Sequence, residues 1–327
     1  LRYTPALTDM VQTYVVQPNE VEKERPYIAG HVQATLDAYK LTDLEVRDFS
    51  YQRFPASAES PQVGKVLRNI PVWDAETLVE VFQQLQELRT YYIFPRVSVG
   101  RYTIAGSEQQ VFLGPREIEF DNLPGQAQNW INAHLTYTHG FGAVMTPASQ
   151  TSGSGMTWYL YDIPPKSTHD LAPEQPRIYY GLGRYHYSIA PNRAGEMDYP
   201  EGDSNVMTDY DGRGGVPISS LLRKFLFAYH LENKNVFFST KITDRSRLLF
   251  RRNIVERIRH LAPFLHLDDT PYTAVTPKGI YFIVDAYTTS RYYPAAAPQQ
   301  LGDRTFNYMR NSIKIVVDAY HGSVDFY

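Results

Sequence analysis

Two segments near the end of the chain repeat one short pattern, which constrains the fold more than any other feature. Tyr281 to Ser290 reads Y-F-I-V-D-A-Y-T-T-S, and Lys314 to Ser323 reads K-I-V-V-D-A-Y-H-G-S. Each segment gives an apolar strand, the letters V-D-A-Y and then a turn, and His321-Gly322 suits a tight hairpin. Two copies are too few for a solenoid. The repeat therefore predicts two similar strand-turn units in one sheet.

A second hairpin is predicted upstream. Val99 to Ala105 and Gln110 to Phe120 are strand-like runs separated by a turn region at Gly106-Ser107, and Pro115 should mark an edge or a bulge. Hairpins require antiparallel pairing, and the helices and strands alternate too irregularly for a doubly wound sheet. We therefore expect an α+β fold, with antiparallel or mixed sheets that carry several amphipathic helices.

Apolar residues at helical spacing predict these helices. The clearest one follows the N-cap residue Asp74 and places Leu78, Val81, Phe82, Leu85 and Leu88 on one stripe. The others are Pro26 to Lys40, a helix from Pro124 that ends at Gly140, a helix from Pro217, and Asn253 to Leu261. The helix from Pro217 is expected to bury Leu222, Phe225, Leu226 and Tyr229.

The remaining segments suggest how the chain is organised. Leu44 to Arg47 alternates like a strand, whereas Gln52 to Pro71 and Asp198 to Gly215 lack periodicity and predict loops. We place a division near Gln150. Residues 1–150 then form an N-terminal α+β part with a helix-glycine hinge, and residues 151–327 form a C-terminal α+β part. The alternative is one continuous globular domain.

Composition excludes several classes of function. The chain has no cysteine, which excludes thiol nucleophiles, disulfides and Cys-ligated zinc. This fits an extracytoplasmic bacterial domain, although a cytosolic protein can also lack cysteine. The net charge of −3 gives no support for a nucleic-acid partner. No apolar run reaches the length of about 18 residues that a membrane span needs, and the start at Leu1 without Met is expected of an excised fragment.

Eight segments, taken in order, are spread along nearly the whole chain. They are P-N-E-V-E-K-E-R-P-Y-I (Pro18 to Ile28), E-L-R-T-Y-Y-I-F (Glu87 to Phe94), H-L-T-Y-T-H-G-F-G (His134 to Gly142), D-I-P-P (Asp162 to Pro165), P-R-I-Y-Y-G (Pro176 to Gly181), Y-D-G-R-G-G-V-P (Tyr210 to Pro217), I-V-D-A-Y-T-T-S (Ile283 to Ser290) and N-Y-M-R-N-S-I-K (Asn307 to Lys314). Through them the chain resembles the UPF0182 family of uncharacterised bacterial membrane proteins. The resemblance implies a large integral membrane protein in which this chain is the soluble domain after the last N-terminal membrane helix, outside the cytoplasm. It implies location and architecture, and no biochemical activity.

The stretch from Trp130 to Gln150 is the first place to look for a reactive or binding centre, because it joins a helix to glycines and contains two histidines. His134 lies on the apolar stripe, so we expect a core histidine bonded to a neighbouring backbone group. His139, beside Gly140, is expected to be more exposed; it either serves a ligand or lies at a helix C-terminus, where cations are favoured. The two histidines are five apart and lack the glutamate of H-E-x-x-H, so they do not predict a zinc pair.

Two functions of different classes remain open. The first is a noncatalytic extracytoplasmic module that binds a wall, lipid or protein partner. The module would then communicate its bound or unbound state to the membrane part of the same protein. The 26 tyrosines support it, and Trp158 and Tyr179 can stack on sugars or peptides, although such residues are more often core. The second is an envelope-directed hydrolase or transferase that uses His139 with Asp162 or Asp209. The absence of G-x-S-x-G, GxGxxG and P-loop motifs favours the first.

An acidic, glycine-rich segment supplies a candidate metal site. Asp203, Asp209 and Asp211 can together wrap Ca²⁺. The EF-hand template fails, because Met207 would open the loop and Ile218 would close it, and neither has a carboxylate. The favoured alternative is a solvated loop in which Asp and Gly make turns. No other cofactor is expected.

A basic run from Lys241 to Arg259 supplies a candidate membrane surface. Arg245, Arg251 and Arg252 belong to it. The favoured interpretation is a solvated helix face with local ion pairs. The functional alternative is contact with anionic lipid headgroups, which attract each nearby Lys or Arg by about 1 kcal/mol.

Overall fold

The computed structural model describes residues 5–48, 61–149, 155–202, 204–294, 296–302 and 304–327. The chain divides into two compact units, Leu1–Pro55 and Ala56–Tyr327. The described residues of the first unit are helical or irregular, and all described strands lie in the second. No helix in these ranges is long and apolar enough to cross a membrane.

Helices occupy both units. The α-helices of the described residues are α1 (Pro5–Val11), α2 (Glu20–Ala38), α3 (Pro61–Leu67), α4 (Ala75–Gln86), α5 (Leu221–His230), α6 (Asn235–Phe238) and α7 (Ile254–Leu261). Short 3-10 or π segments cover Gln12–Val16, Gln17–Asn19, Phe120–Asn122, Gly125–Ala127 and Asn132–Thr136.

Strands are numerous and mostly short. They are β1 (Tyr92–Ile93), β2 (Ser98–Ile104), β3 (Ser107–Pro115), β4 (Glu117–Ile118), β5 (Gly140–Phe141), β6 (Ala143–Pro147), β7 (Leu160–Tyr161), β8 (Lys166–Ser167), β9 (Arg177–Ile178), β10 (Ser188–Ala190), β11 (Glu196–Glu201), β12 (Ser204–Thr208), β13 (Val216–Pro217), β14 (Arg247–Leu249), β15 (His266–Leu267), β16 (Tyr272–Thr276), β17 (Gly279–Ser290), β18 (Gln299–Leu301), β19 (Arg304–Phe306), β20 (Tyr308–Asp318) and β21 (Val324–Phe326). The predicted α+β class is confirmed.

Two five-stranded antiparallel sheets form the frame of the second unit. The N-terminal sheet has the order β2-β3-β6-β7-β8, so strands on both sides of residue 150 belong to it. The C-terminal sheet has the order β15-β17-β20-β21, and β16 also pairs with β17. Smaller sheets join β10-β14-β13, β1-β4, β5-β9, β11-β12 and β18-β19.

The V-D-A-Y repeat lies where the sequence predicts it. Both copies belong to the C-terminal sheet, in β17 and β20, which pair antiparallel with Tyr281 opposite Asp318. The two copies end differently, because β17 continues as a strand to Ser290 whereas β20 ends at Asp318 and turns. Gly322 has φ +66° in that turn, a conformation that favours glycine.

The main hydrophobic core combines side chains of both sheets and α7. Leu113 and Met145 of the N-terminal sheet, Phe282 and Val317 of the C-terminal sheet and Ile258 of α7 are inaccessible members of one cluster. Each such side chain contributes about 1.5–3 kcal/mol on burial. The core therefore holds the two sheets in fixed positions and fixes the loops between them.

The helix predicted after Asp74 is confirmed as α4. The Asp74 carboxylate accepts hydrogen bonds from two backbone N–H groups of the first turn, at 3.0 and 3.2 Å, which is N-capping. Leu78 and Phe82 are fully buried, whereas Leu85 and Leu88 are exposed. The buried stripe of α4 therefore contains fewer residues than the apolar pattern predicts.

The predicted hairpin is also confirmed, as β2 and β3. Pairing between them ends where Leu113 lies opposite Ser98, two residues before Pro115. Pro115 is the last residue of β3 and lies opposite Ala143 of β6. The missing N–H of Pro115 therefore removes no hydrogen bond to β2. At this position β3 has a partner strand on one side only, as an edge position requires.

Predictions for the first seventy residues are partly wrong. The helix expected from Pro26 begins at Glu20 and contains Pro26, because the charged residues before it are good helix formers. Leu44 to Arg47 is irregular, since so short an alternation forms a strand only beside a partner. The loop expected over Gln52 to Pro71 lies partly outside the described residues, and its described part contains α3.

Three further predictions near the centre differ from the structure. The loop expected over Asp198 to Gly215 contains the β11–β12 hairpin. The helix expected from Pro124 is reduced to a 3-10 turn and a π segment, and the Asn129 side chain accepts from the N–H of Asn132 where the second piece begins. The turn expected over Gln150 to Gly155 lies outside the described residues except at its end.

Helix α5 reverses the predicted burial. Leu222, Phe225, Leu226 and Tyr229 are each more than half exposed. Its partly buried apolar residues are instead Phe227 and Ala228, which pack with Leu231 into a cluster around Val236 and Leu248. The periodicity identifies an apolar face correctly, but in the described residues that face has no cover.

Candidate functional site

Three elements bring polar residues together at the end of the Trp130–Gln150 stretch. The segment before β5 supplies two adjacent side chains, Thr138 and His139. Strand β9, which pairs with β5, supplies Arg177. Strand β11 supplies Glu196 and Asp198. We call these five residues the His139 cluster.

His134 is the core histidine that the sequence predicts. Its Nδ1 donates to the carbonyl oxygen of Tyr187 at 2.7 Å, and the two rings stack with centroids 3.8 Å apart. Burial lowers the pKa of His134 to about 4. The side chain is therefore neutral at physiological pH, which suits a packing role.

His139 is fully buried, so the expectation that it is exposed is wrong. Its Nε2 lies 3.2 Å from Oδ1 of Asp198, and its Nδ1 lies 2.9 Å from the hydroxyl of Thr138. That hydroxyl also bonds to the Glu196 carboxylate at 2.7 Å. The ring also stacks on Tyr179, with centroids 4.5 Å apart. Both ring nitrogens are thereby satisfied by protein groups.

The two carboxylates of the His139 cluster have different surroundings. Asp198 accepts two bonds from Arg177, at 2.7 and 2.8 Å. Burial raises the pKa of Asp198, but hydrogen bonds from His139 and Arg177 outweigh it, so the pKa lies below its usual value. Burial raises the pKa of Glu196, and bonds from residues such as Tyr179 offset this only in part.

Arg252 is buried next to the His139 cluster. The prediction that it lies on a membrane-facing surface is therefore wrong. Its guanidinium donates to the carbonyl oxygens of Tyr179 at 2.7 Å and His186 at 3.1 Å, to the hydroxyl of Ser188 at 2.6 Å, and to the carbonyl oxygen of Thr138. Burial lowers its pKa. The planar fork of donors lets this one side chain tie three backbone segments together.

A second pair of buried charges supports the same region. Glu117 accepts from the N–H groups of Leu182 and Gly183, at 2.9 and 2.8 Å, and from the hydroxyl of Tyr185 at 2.8 Å. Burial raises the pKa of Glu117. Arg116 donates to three backbone carbonyls, and burial lowers its pKa to about 10. These residues hold loops in place and face no open space.

The candidate catalytic partners of His139 have other contacts. Asp162 accepts from Lys166 at 3.0 Å, and its carbonyl oxygen accepts from Arg116. Asp209 is exposed at the end of β12. The carboxylate bonded to His139 is Asp198, which the sequence pattern assigns to a solvated loop.

The aromatic candidates belong to the core rather than to an open surface. Trp158 is partly buried and packs on Phe82, with ring centroids 5.4 Å apart. Tyr179 is inaccessible and donates its hydroxyl to Glu196 at 2.7 Å. Tyr179 therefore offers no free face for stacking on a sugar, whereas a ligand role for the partly buried Trp158 stays a prediction.

The calcium candidates remain a prediction. Asp203 lies outside the described residues. Asp209 is exposed, and Asp211 accepts a hydrogen bond from the hydroxyl of Tyr320. Among the described side chains, no group of three or more His, Asp or Glu is placed to hold a metal ion.

The other arginines of the candidate lipid surface are accessible. Arg245 and Arg251 are both exposed, and the guanidinium of Arg251 lies 5.8 Å from the ring centre of Phe250. Contact of these two residues with anionic lipid stays a prediction.

An open groove of about 660 Å³ lies between the two large sheets. Its walls come from β2, including Val99 and Arg101, and from β16, including Tyr272. Strands β2 and β16 each pair on one side only within the described part of the chain. The rim carries charges of both signs, from Lys65, Arg101 and Glu108.

Side chains, rather than a ladder of backbone bonds, join the two strands across the groove. The N–H of Thr273 donates to Ser98 at 3.1 Å, and the N–H of Val275 donates to the hydroxyl of Tyr102 at 2.8 Å. Gly100 lies midway between Ser98 and Tyr102 on the same face of β2 and has no side chain. A Cβ at this position would lie 3.0 Å from the ring of Tyr102, so the glycine lets that ring pack against the strand.

Comparison with known proteins decides the family. The model of an uncharacterised protein family, UPF0182, matches residues 2–327. The chain belongs to the UPF0182 family. It is 55% identical over its whole length to a UPF0182 protein of Syntrophobacter fumaroxidans, of which it covers 37%. It is 49% identical over 97% of its length to one of Nitrosococcus oceani, of which it covers 38%.

A third UPF0182 protein, of Methylococcus capsulatus, is 45% identical over the whole chain, which covers 37% of that protein. The chain thus spans less than two-fifths of the length of these relatives. No solved structure matches it. The predicted family is confirmed, and the family is uncharacterised.

Sequence reasoning missed most residues that support the site of this UPF0182 chain. Arg116 and Glu117 are adjacent charges within an otherwise apolar run that ends at Ile118, and such an interruption can signal buried, paired charge. Glu196 and Arg177 give no comparable signal, because their neighbours in sequence are polar or irregularly spaced.

Proposed function

We propose that this UPF0182 chain is a noncatalytic, extracytoplasmic binding module of a bacterial membrane protein. The supporting observation is a contrast in accessibility. His139, Glu196 and Asp198 are buried and bonded to other protein groups, whereas the groove between β2 and β16 is open. A catalytic acid or base must reach its substrate within hydrogen-bond distance. The groove therefore supports binding better than the cluster supports catalysis.

The groove suits an extended peptide segment. Such segments bind sheet edges through main-chain hydrogen bonds, while pockets beside the edge select side chains. Among the described strands β2 pairs with β3 only and offers such an edge, and Tyr272 offers an aromatic surface across the groove. The N–H groups of Thr273 and Val275 in β16 already bond to side chains of β2. The segment would come from an envelope protein or from the rest of the same protein.

The proposed location is supported by composition and by the family resemblance. The chain contains no cysteine, as suits a compartment where free thiols are oxidised. The same property supplies a test. Ser219 is exposed, and Ser219→Cys gives this chain a single thiol.

The binding proposal is tested by crosslinking in cells. Tyr272, in the groove, and Tyr292, exposed elsewhere, are each replaced by photoreactive benzoylphenylalanine in the full-length protein. Irradiation should give a discrete adduct at Tyr272 whose partner peptide is identified by mass spectrometry. Equal adducts at Tyr272 and Tyr292, or none at Tyr272, would contradict groove binding.

The location is tested by labelling. Intact cells that carry Ser219→Cys in the full-length protein are treated with a membrane-impermeant maleimide, beside cells with the unchanged protein. We expect the label in the variant above the unchanged background. Labelling that appears only after the cells are lysed would place the chain inside.

A further inference from the structure

Helix α5 presents a continuous apolar face to solvent. Leu221, Leu222, Phe225, Leu226 and Tyr229 follow one another at positions i, i+1, i+4, i+5 and i+8. Each is more than half exposed, and Tyr229 reaches 79%. Single exposed apolar residues are ordinary, but a contiguous patch of this kind marks an interaction surface.

The rest of the second unit holds this helix from the opposite side. Phe227 and Ala228 pack with Leu231 against buried residues that include Ile218 and Val236. The Ser220 hydroxyl caps the helix by accepting from the N–H of its third residue at 3.2 Å. The buried side of α5 and its N-cap therefore hold the helix in place, and the exposed residues are not needed to keep it folded.

Helix α6 extends the face into a concave surface. Phe237 packs edge-on against Phe225 with ring centroids 6.3 Å apart, and Phe238 is 73% exposed. A cavity of about 650 Å³ opens between the helices and is lined by these rings and by Tyr229. We call α5 and α6 with this cavity the aromatic face.

The segment that forms the aromatic face has an excess of positive charge, although Glu232 also lines its cavity. From Ser220 to Lys241 the sequence contains Arg223, Lys224, Lys234 and Lys241 as bases and Glu232 as the one acid. The segment therefore carries +3 in a chain whose net charge is −3. Such a local excess attracts a polyanionic surface that the whole chain would repel.

We propose that the aromatic face docks on the surface of an anionic lipid bilayer. An apolar helix face with Phe, Tyr and Leu, bordered by Lys and Arg, matches the pattern of helices that lie in the membrane interface. The apolar side chains enter the boundary between headgroups and acyl chains, and the basic residues contact the headgroup phosphates. This surface shares no helix or strand with the groove, so the proposal goes beyond the proposed function. If one of the two proposals is refuted, the other is unaffected.

The test is flotation of the 327-residue chain with vesicles of pure phosphatidylcholine and of equimolar phosphatidylcholine and phosphatidylglycerol. The unchanged chain should float with the anionic vesicles and release them at high salt. Phe225→Glu should lower the partition coefficient about ten-fold or more. The matched control is Phe264→Glu, at an exposed phenylalanine beyond α7, which should bind as the unchanged chain does.

A second variant keeps the test decisive if Phe225→Glu unfolds the chain. Lys234 and Lys241 are exposed, so Lys234→Glu with Lys241→Glu should preserve the circular dichroism spectrum and still weaken binding to anionic vesicles. Absence of flotation by the unchanged chain would overturn the proposal. Equal losses in Phe225→Glu and Phe264→Glu would overturn it too, as would a concentration-dependent dimer that Phe225→Glu abolishes, because the face would then bind a second copy.

Discussion

Replacing Arg252 by methionine should destabilise the chain strongly, whereas the same change at its neighbour Arg251 should not. Methionine keeps the aliphatic stem and removes the guanidinium. Three buried groups, the carbonyl oxygens of Thr138 and Tyr179 and the hydroxyl of Ser188, then lose a donor. Each unsatisfied buried group costs about 1–3 kcal/mol, or about 3–9 kcal/mol for the three.

Part of that cost is offset, because the variant no longer buries a guanidinium whose pKa the site lowers. Breaking a buried charged network typically costs about 3–5 kcal/mol, and we expect Arg252→Met to fall in that range. A chain of ordinary stability has about 5–15 kcal/mol in total. The variant should therefore retain its fold only narrowly.

Urea unfolding followed by far-ultraviolet circular dichroism measures both variants. Arg251 is exposed, and its guanidinium lies 5.8 Å from the ring centre of Phe250, so Arg251→Met should change the free energy of unfolding by about 0.5 kcal/mol or less. If Arg252→Met lies within about 1 kcal/mol of Arg251→Met, our assignment of Arg252 as a structural tie is refuted.

Two further changes test how the His139 cluster is built. A Cβ on Gly140 would lie 2.7 Å from the Cα of Glu117, so Gly140→Ala should lower the melting temperature sharply. Gly125 has open space around it, so Gly125→Ala should leave the melting temperature unchanged. Equal melting temperatures of the two variants would contradict this packing. Asp198→Asn should cost about 2–3 kcal/mol at neutral pH, since Arg177 and His139 lose a charged acceptor. Because the folded pKa of Asp198 is depressed, its contribution is complete above the unfolded pKa of about 3.9 and is lost as pH falls through the folded pKa. Urea titrations at decreasing pH should therefore show the two proteins converging below about pH 4, and a constant gap would count against the assignment.

The sequence predicts those parts of the fold that depend on local pattern. The V-D-A-Y repeat identifies paired strands because alternation and turn residues act over a few positions. Asp74 identifies the start of α4 because an N-cap bonds to its own first turn. His134 is identified as a core residue because it shares a stripe with apolar neighbours.

Tertiary contacts decide the rest. Arg251 and Arg252 are adjacent and identical in type, yet one is exposed and the other ties three segments 64 to 114 residues away in sequence. Periodicity shows that α5 has an apolar face but not what covers it, so the predicted burial of Leu222 and Phe225 is wrong. The burial of His139 depends on β9 and β11, and the sequence does not show that these two strands lie beside it.

The central claim is that His139 is inaccessible to solvent in a noncatalytic module. Its most direct test is histidine modification by diethyl pyrocarbonate followed by mass spectrometry. His230 and His260 are exposed and serve as internal standards. We predict rapid modification of both, and protection of His139 until the chain is unfolded in urea. Modification of His139 in the folded chain at the rate of His230 would contradict a sealed cluster and would restore this histidine as a catalytic candidate.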